Sequence, residues 1–193
     1  MDIFKDSSNV LISLDSETLS RWDDAIVLSV GAVGHDLTVP VSFGQLCDEA
    51  YFIKLDAREQ AKLDRKTEES TIKWWRSDKV SDEARKMSLF PSPEDQSLEE
   101  LNYSLGVFIK KFDGKQTYAD RNLFDFRKLQ HIIEVNLKTQ EPWNYHNLMD
   151  FSTMFKAWGL DRYAGIKPWE IPPRFGFVYH NPVHDAALDW LRT

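Results

Sequence analysis

The stretch VLISLDSE, residues 10–17, decides the fold because it reads as a buried strand that runs directly into two acidic residues. Its first part is an apolar run with the length and character of a strand inside a sheet. Successive side chains of a strand point to opposite faces, so Asp15 and Glu17 point the same way. Two adjacent carboxylates repel unless a cation lies between them, which favours an oxygen-seeking ion such as Mg²⁺. Taken alone, the pair also fits a solvated strand end that enters a turn.

Further strands and helices follow from the same patterns. AIVLSVGAV (residues 25–33) and AYFIKL (50–55) predict two more strands with antiparallel pairing, and KQTYAD (115–120) predicts a later one. Helical patterns occupy residues 57–66, 69–77, 81–87, 97–112, 122–137, 150–158 and the segment after 181, whereas KPWEIPPRFG (167–176) reads as a Pro-rich loop. This order predicts an α/β fold with a mixed sheet flanked by helices. No boundary divides the chain, so we expect a single domain over residues 1–193.

Bulk properties narrow the class of protein. Cys47 is the one cysteine among 193 residues, which excludes an internal disulfide framework and indicates a reducing cytoplasm. The net charge of −7 argues against a large basic surface for duplex nucleic acid. A nuclease remains compatible with this charge, because bound metal ions supply local positive charge. No apolar run is long enough for a membrane span, and residues 1–10 lack the features of a signal peptide.

Two more acidic signals lie downstream. Asp125 falls in the first turn of the predicted helix 122–137, where an acid complements the helix dipole, and we expect it to project toward the sheet edge of Asp15. The closing segment HNPVHDAALD offers two pairs of the same spacing, His180 with Asp185 and His184 with Asp189. A histidine there can act as a general base because its ordinary pKa lies near working pH. The alternative is a histidine that packs beside acids that only decorate a helix start.

Taken in order, these motifs resemble the DEDDh family of DnaQ-like 3′→5′ exonucleases. STIKWWRSDKVSDEARK (70–86) and HNPVHDAALD (180–189) are similar to segments of phage exonuclease A-type enzymes and mycobacterial-type 3′→5′ exoribonucleases. The resemblance extends from about residue 10 to the end of the chain. It implies a ribonuclease-H-like mixed β-sheet flanked by α-helices, which agrees with the pattern of elements, and a single exonuclease domain.

The resemblance also implies a set of site residues. Two ions, Mg²⁺ or Mn²⁺, would lie roughly 3.5–4 Å apart around the scissile phosphate, held by Asp15, Glu17, Asp125 and Asp185. His180 would be the general base. We favour His180 with Asp185 because Asn181-Pro182 starts a helix between them. HDAALD fits the family's His-x-Ala-x-x-Asp form, which keeps His184 and Asp189 as the alternative pair.

Substrate contacts are predicted at four positions. Leu19 and Trp22 are candidates for a wedge against the terminal base, since apolar and aromatic side chains contact bases without sequence preference. Arg121 follows Asp120 where close relatives carry small residues, and it is a candidate phosphate contact. His184 is a further substrate-binding candidate.

The predicted partners are 3′ ends of single-stranded DNA or RNA, with DNA slightly favoured. The products would be nucleoside 5′-monophosphates. The resemblance suggests a bacterial or phage-infected host cytoplasm and a homodimer. The rival functions are an inactive exonuclease fold kept as a nucleic-acid-binding module and an unrelated nucleotide phosphohydrolase, although no Gly-rich phosphate loop is present.

Overall fold

A five-stranded mixed sheet forms the centre of the computed structural model, which describes residues 9–193. Its strands are β1 (Asn9–Thr18), β2 (Val27–Asp36), β3 (Tyr51–Lys54), β4 (Lys115–Asp120) and β5 (Leu148–Asp150). The order across the sheet is β3-β2-β1-β4-β5. Strand β2 pairs antiparallel with β1 and β3, whereas β4 pairs parallel with β1 and β5. The predicted mixed sheet is confirmed, but β5 was not predicted, because three residues are too few to show a strand period.

The α-helices of the described residues are interspersed with the strands along the chain after β2. They are α1 (Phe43–Asp48), α2 (Ala57–Lys62), α3 (Glu69–Trp75), α4 (Asp82–Ala84), α5 (Leu98–Ile109), α6 (Phe124–His131), α7 (Phe151–Ala157) and α8 (Pro182–Leu191). Helices α4 and α6 each continue into a π-helical turn, Arg85–Leu89 and Ile132–Asn136. Between residues 9 and 193, no helix is both long and apolar enough to cross a membrane.

Side chains on the two faces of β1 pack into two separate hydrophobic layers. Val10, Ile12 and Leu14 pack with residues of α5 and α6, whereas Leu11 packs with residues of α1, α7 and α8. Alternation along one strand therefore places the sheet between two helical layers.

Several predicted helices are shorter than their patterns. Helix α2 ends at Lys62 because Asp64 adopts a left-handed φ of 58° and Arg65 turns inward to donate to the carbonyl of Ala25. Helix α4 has three residues before its π turn, and α5 ends at Ile109. The predicted loop at 167–176 contains two short 3₁₀ turns, Pro168–Glu170 and Pro173–Phe175.

Strand β1 extends past the end of β4. Its pairing with β4 stops at Ser13, whereas its pairing with β2 continues to Thr18. The interpretation of Asp15 and Glu17 as an exposed strand end is therefore wrong, since the strand runs three residues beyond Asp15 and Glu17 is 8% exposed. The extension leaves one edge of β1 open beside the start of α6.

Helix α8 approaches the sheet closely at Gly31. A Cβ atom on Gly31 would lie 2.4 Å from the Pro182 carbonyl carbon and the Val183 nitrogen. Asn181 caps the helix, because its side-chain oxygen accepts hydrogen bonds from the N–H groups of Val183 and His184. At the other end, the Trp190 indole donates to the carbonyl of Leu11 at 2.9 Å. The helix is thus fixed at both ends, which sets the position of Asp185.

We expect Gly31→Ala to lower the free energy of unfolding by about 1–3 kcal/mol, the usual cost of overpacking an interior. The added methyl group meets backbone atoms of α8, which cannot move aside as a flexible side chain would. Urea unfolding followed by tryptophan fluorescence measures the change.

Gly106→Ala is the matched control, because the new methyl group would lie 3.4 Å from the nearest atom, Pro142 Cβ, in the interior of α5. It should raise stability by up to about 1 kcal/mol through helix propensity. Equal stability of the two variants would contradict the close packing at Gly31.

Candidate active site

A cleft of about 680 Å³ opens beside the extended end of β1. Five acidic side chains line it, from Asp15, Glu17, Asp125, Asp185 and Asp189. Four basic side chains line it as well, from Arg121, Arg162, Lys167 and Arg192. Tyr163, Trp169 and Tyr179 add exposed aromatic rings. We call the side chains of Asp15, Glu17, Asp125 and Asp185 the acidic floor of the cleft. The basic and aromatic side chains, together with Asp189, form its wall.

Asp125 is fixed to β1 through Ser16. Its Oδ1 atom accepts hydrogen bonds from the Ser16 N–H at 3.1 Å and from the Ser16 hydroxyl at 2.5 Å. The Ser16 backbone has no β4 partner, because that pairing ends at Ser13. Asp125 thus pairs the Ser16 N–H group, which β4 leaves without a partner strand. This contact places Asp125 in the same cleft as Asp15 and Glu17.

Asp120, the last residue of β4, holds the start of α6. Its Oδ2 atom accepts hydrogen bonds from the N–H groups of Asp125 and Phe126 at 2.6 and 2.9 Å. The connecting residues Asn122 and Leu123 have left-handed φ values of 61° and 50°. Burial raises the pKa of Asp120 to about 6. This acid therefore serves as a buried cap on the start of α6.

His180 and Asp185 lie close to Glu17 at the N-terminal end of α8. The His180 N–H donates to Asp185 Oδ2 at 2.8 Å, and its Nδ1 atom lies 3.7 Å from Glu17 Oε1. Its backbone is left-handed, with φ 63°, and its ring packs edge-on against Trp74 with centroids 4.6 Å apart. Ligand atoms of Glu17, His180 and Asp185 lie within 4.8 Å of one another. Such a donor set can hold a metal ion.

Burial and mutual repulsion raise the pKa values of the floor carboxyls. Burial raises the pKa of Asp15 well above its ordinary value, and the charges of Asp125 and Glu17 add to the effect. Burial likewise raises the pKa of Asp125, and burial with the Glu17 charge raises that of Asp185 to about 7. Burial lowers the pKa of His180, but the hydrogen bond and charge of Glu17 outweigh it, so this pKa is raised. The raised carboxyl pKa values show that the ionised carboxylates of the floor destabilise one another.

One buried lysine partly offsets this charge. Lys128 is fully buried one turn after Asp125, and its ammonium donates to the carbonyls of Phe124 and Arg21 at 3.0 and 3.4 Å. Burial lowers its pKa to about 8, while the Asp125 charge opposes that shift. A single ammonium does not balance the carboxylates, which leaves the floor suited to cations.

The second His–Asp pair is placed differently. His184 packs between the rings of Phe43 and Phe177, and its Nδ1 atom accepts a hydrogen bond from the Val178 N–H at 2.9 Å. Asp189 lines the cleft but forms ion pairs with Arg121 and Arg192. The structure therefore brings Asp189 to the cleft and His184 into the α1–α8 layer.

Of the other predicted contacts, Arg121 lies in the cleft, whereas Leu19 and Trp22 do not line it. Leu19 is partly buried and borders a separate groove of about 480 Å³ with Ile72 and Phe90. Trp22 is 57% exposed and packs under the Arg21 guanidinium. A wedge formed by Leu19 and Trp22 would therefore contact the substrate outside this cleft.

Apart from Arg121, the basic and aromatic wall was not predicted from sequence. The wall comes mainly from DRYAGIKPW, residues 161–169, whose last three residues belong to the stretch that was interpreted as a Pro-rich loop. Interleaved basic and aromatic residues are a signal for nucleic-acid binding that could have marked it. Ser16 and Asp120 gave no comparable signal, because their roles depend on long-range hydrogen bonds.

Comparisons with known proteins find exonucleases among the relatives of this chain. Residues 10–190 match the family described as the 3′–5′ exoribonuclease Rv2179c-like domain. An exodeoxyribonuclease of Enterobacteria phage T4 is 29% identical over 196 residues, which cover 92% of this chain and 85% of the relative.

Two solved structures share the fold. E. coli exonuclease I in complex with a dT13 oligonucleotide aligns with a TM-score of 0.53 at 13% identity over 95% of this chain. Cell-death related nuclease 4 aligns with a TM-score of 0.55 at 12% identity over 96% of this chain. This chain spans 39% and 64% of those two proteins, respectively. The ribonuclease-H-like exonuclease fold that the sequence predicted is confirmed.

We expect the metal-free protein to lose stability as pH rises from about 4 to 7. Asp185 has a pKa of about 7 when folded, against about 3.9 for an unfolded aspartate. Between these values the unfolded chain has released a proton that the folded chain retains, so raising the pH favours unfolding. A shift of one pKa unit corresponds to about 1.4 kcal/mol in the free energy of unfolding. Each kcal/mol of that free energy changes the melting temperature by roughly 2–4 °C.

Melting temperatures in EDTA at pH 5 and pH 8 measure this loss. Asp185→Asn should flatten the pH dependence, whereas the exposed control Asp78→Asn should not. Magnesium should raise the melting temperature more at the higher pH, where the carboxylates are ionised. A wild-type decrease that persists unchanged in Asp185→Asn would contradict the assignment of the raised pKa.

Proposed function

The chain belongs to the Rv2179c-like family of 3′–5′ exoribonuclease domains, and from this premise we propose that its acidic cleft removes nucleotides from the 3′ ends of single-stranded nucleic acid. The enzyme class is that of a 3′–5′ exonuclease, which hydrolyses phosphodiester bonds. The observation that carries the proposal is the convergence of Asp15, Glu17, Asp125 and Asp185 on one cleft floor with His180 at its edge.

The donor set fits divalent metal ions, which this exonuclease family generally uses. Oxygen donors on a crowded floor with raised carboxyl pKa values favour hard cations, and we propose two ions, Mg²⁺ or Mn²⁺. Asp15, Glu17, Asp125 and Asp185 would hold these ions. When bound, two such ions supply an activated water and neutralise charge on the phosphate and the leaving oxygen.

The protein itself would move one proton. His180 is the general base in this proposal, and Nε2 is the accepting atom because Nδ1 faces Glu17. The hydrogen bond from its N–H to Asp185 and the packing of its ring on Trp74 restrict its position. Hydrolysis would form a bond from the water oxygen to phosphorus and break the bond from phosphorus to the 3′-oxygen of the preceding nucleotide. The products would be a nucleoside 5′-monophosphate and a strand shortened by one nucleotide with a new 3′-hydroxyl.

The substrate remains open between DNA and RNA. The family description names an exoribonuclease and the phage relative is an exodeoxyribonuclease, so the slight preference for DNA stays a prediction. Exonuclease I was solved with a single-stranded oligonucleotide, which supports a single-stranded substrate here. The wedge role of Leu19 and Trp22, the contact by His184, the single domain over residues 1–193 and the homodimer also stay predictions. Residues 1–8 of that domain lie outside the described residues.

Asp15→Asn should abolish hydrolysis without loss of the fold. The substitution removes one of the carboxylates proposed to hold the ions and relieves repulsion on the floor. The assay is degradation of 5′-labelled single-stranded DNA and RNA of matched sequence with magnesium, manganese or EDTA. Wild type should give a ladder that shortens from the 3′ end, lost in EDTA and in Asp15→Asn.

Asp78→Asn serves as the control for that experiment, since it makes the same chemical change at an exposed position outside the cleft. It should degrade both strands at the wild-type rate. Near-normal turnover by Asp15→Asn would remove the metal-site assignment. No cleavage by wild type with any metal would favour the nucleic-acid-binding module.

His180→Ala should lower kcat by about 10²–10⁴-fold, the usual contribution of a general base. His184→Ala should instead lower stability, because its ring packs between Phe43 and Phe177. Single-turnover rates and melting temperatures, measured on both variants, separate the two effects. A larger loss of rate in His184→Ala would transfer the catalytic role to His184 and Asp189.

A further inference from the structure

Three guanidinium groups surround one tyrosine ring on the basic wall of the cleft. The Cζ atoms of Arg121, Arg162 and Arg192 lie 4.7, 4.8 and 5.9 Å from the centroid of the Tyr163 ring. We call these four residues the Tyr163 cluster. Cation–π contacts of this kind hold a planar guanidinium in place while its edge stays free for other partners.

Two of the guanidinium groups are anchored by one carboxylate. Arg121 and Arg192 both form ion pairs with Asp189, and they also donate to the carbonyls of Arg162 and Ile166, respectively. Their side chains are largely buried, at 16% and 7% exposure. Each guanidinium has five N–H donors, so these contacts leave donors unused.

Arg162 differs because it has no carboxylate partner among residues 9–193. Its side chain is exposed and stacks on Tyr163 at the cleft. The cluster therefore carries three positive charges against the single negative charge of Asp189. This excess stands out in a chain with a net charge of −7 and favours an anionic ligand.

The cluster lies next to the acidic floor. Asp189 and Asp185 are four residues apart on α8, so they share one face and are separated by about one helical turn, roughly 5.4 Å. A ligand that occupies the floor can thus extend directly onto the cluster.

We propose that the Tyr163 cluster binds the phosphodiester group on the 5′ side of the scissile bond. This inference rests on the proposed function, because it takes the scissile phosphate to lie on the acidic floor. The 3′-terminal nucleotide is joined to the strand through the scissile phosphate alone, so every further phosphate lies upstream. The planar guanidinium forks match phosphate oxygens, and the ring of Tyr163 holds them in position.

The proposal makes strand length a measurable variable. A dinucleotide without terminal phosphates contains the scissile phosphate only, whereas a trinucleotide adds one upstream phosphate. We expect wild type to show a kcat/KM about tenfold higher on the trinucleotide, as one charge-assisted contact implies. In Arg162→Gln the ratio of the two kcat/KM values should fall toward one, chiefly through KM, and Arg162→Lys should give an intermediate ratio.

Binding gives a second readout that does not depend on hydrolysis. The probe is a fluorescein-labelled single-stranded oligonucleotide, measured by anisotropy over a range of KCl concentrations in the Asp15→Asn background. The slope of log Kd against log salt should decrease by about 0.7 when one phosphate contact is lost. Asp15→Asn/Arg162→Gln should show that decrease.

Arg174→Gln is the matched control, because Arg174 is also exposed and stacks on an aromatic ring, Phe175, at 4.7 Å, but does not line the cleft. It should keep the wild-type length ratio and salt slope. An unchanged ratio and slope in Arg162→Gln, or an equal change in Arg174→Gln, would overturn the proposal. If wild type hydrolyses neither substrate, the proposed function fails, and the salt slope still decides whether the cluster binds phosphate.

Discussion

Repulsion among carboxylates at one end of the sheet is the constraint on which the arrangement of the cleft depends. Asp15 and Glu17 share one face of β1, and Asp125 and Asp185 are brought to them from helices on two different layers. Hydrogen bonds to Ser16 and to the His180 backbone hold the two helical acids in place. The unfavourable electrostatics are offset by packing elsewhere, above all where α8 meets the sheet at Gly31 and Leu11. The same crowding that raises the pKa values is what would favour the proposed cations in the cleft.

Local patterns were sufficient to predict the framework of the cleft. The apolar run of β1 ending on Asp15, the stripe of α6 and the Asn-Pro start of α8 each depend on neighbouring residues, and each element was found where expected. The ordered acids also predicted the DnaQ-like exonuclease class, which the family match confirmed. The roles assigned to individual site residues were not tested in this way and stay predictions.

Long-range contacts set the limit of that prediction. Asp120 caps α6, and the Ser16 hydroxyl donates to Asp125. These contacts depend on tertiary structure, so no local sequence spacing predicts them. Strand β5 is too short for a period, and its pairing with β4 comes from tertiary structure. The Tyr163 cluster joins a turn after β4, a loop and the end of α8. The first and last members of the cluster, Arg121 and Arg192, are 71 positions apart in the sequence.

The left-handed backbone of His180 has an evolutionary consequence. Glycine adopts a φ of 63° more readily than histidine does, so a mutation at this position can discard the imidazole while making the turn into α8 easier to form. Replacing a floor acid by its amide likewise removes repulsion. Under the proposed roles, substitutions that favour stability at these positions would lead away from catalysis and could leave the architecture intact. Under the same roles, selection for activity would keep a strained histidine and mutually repelling carboxylates that selection for stability alone would not.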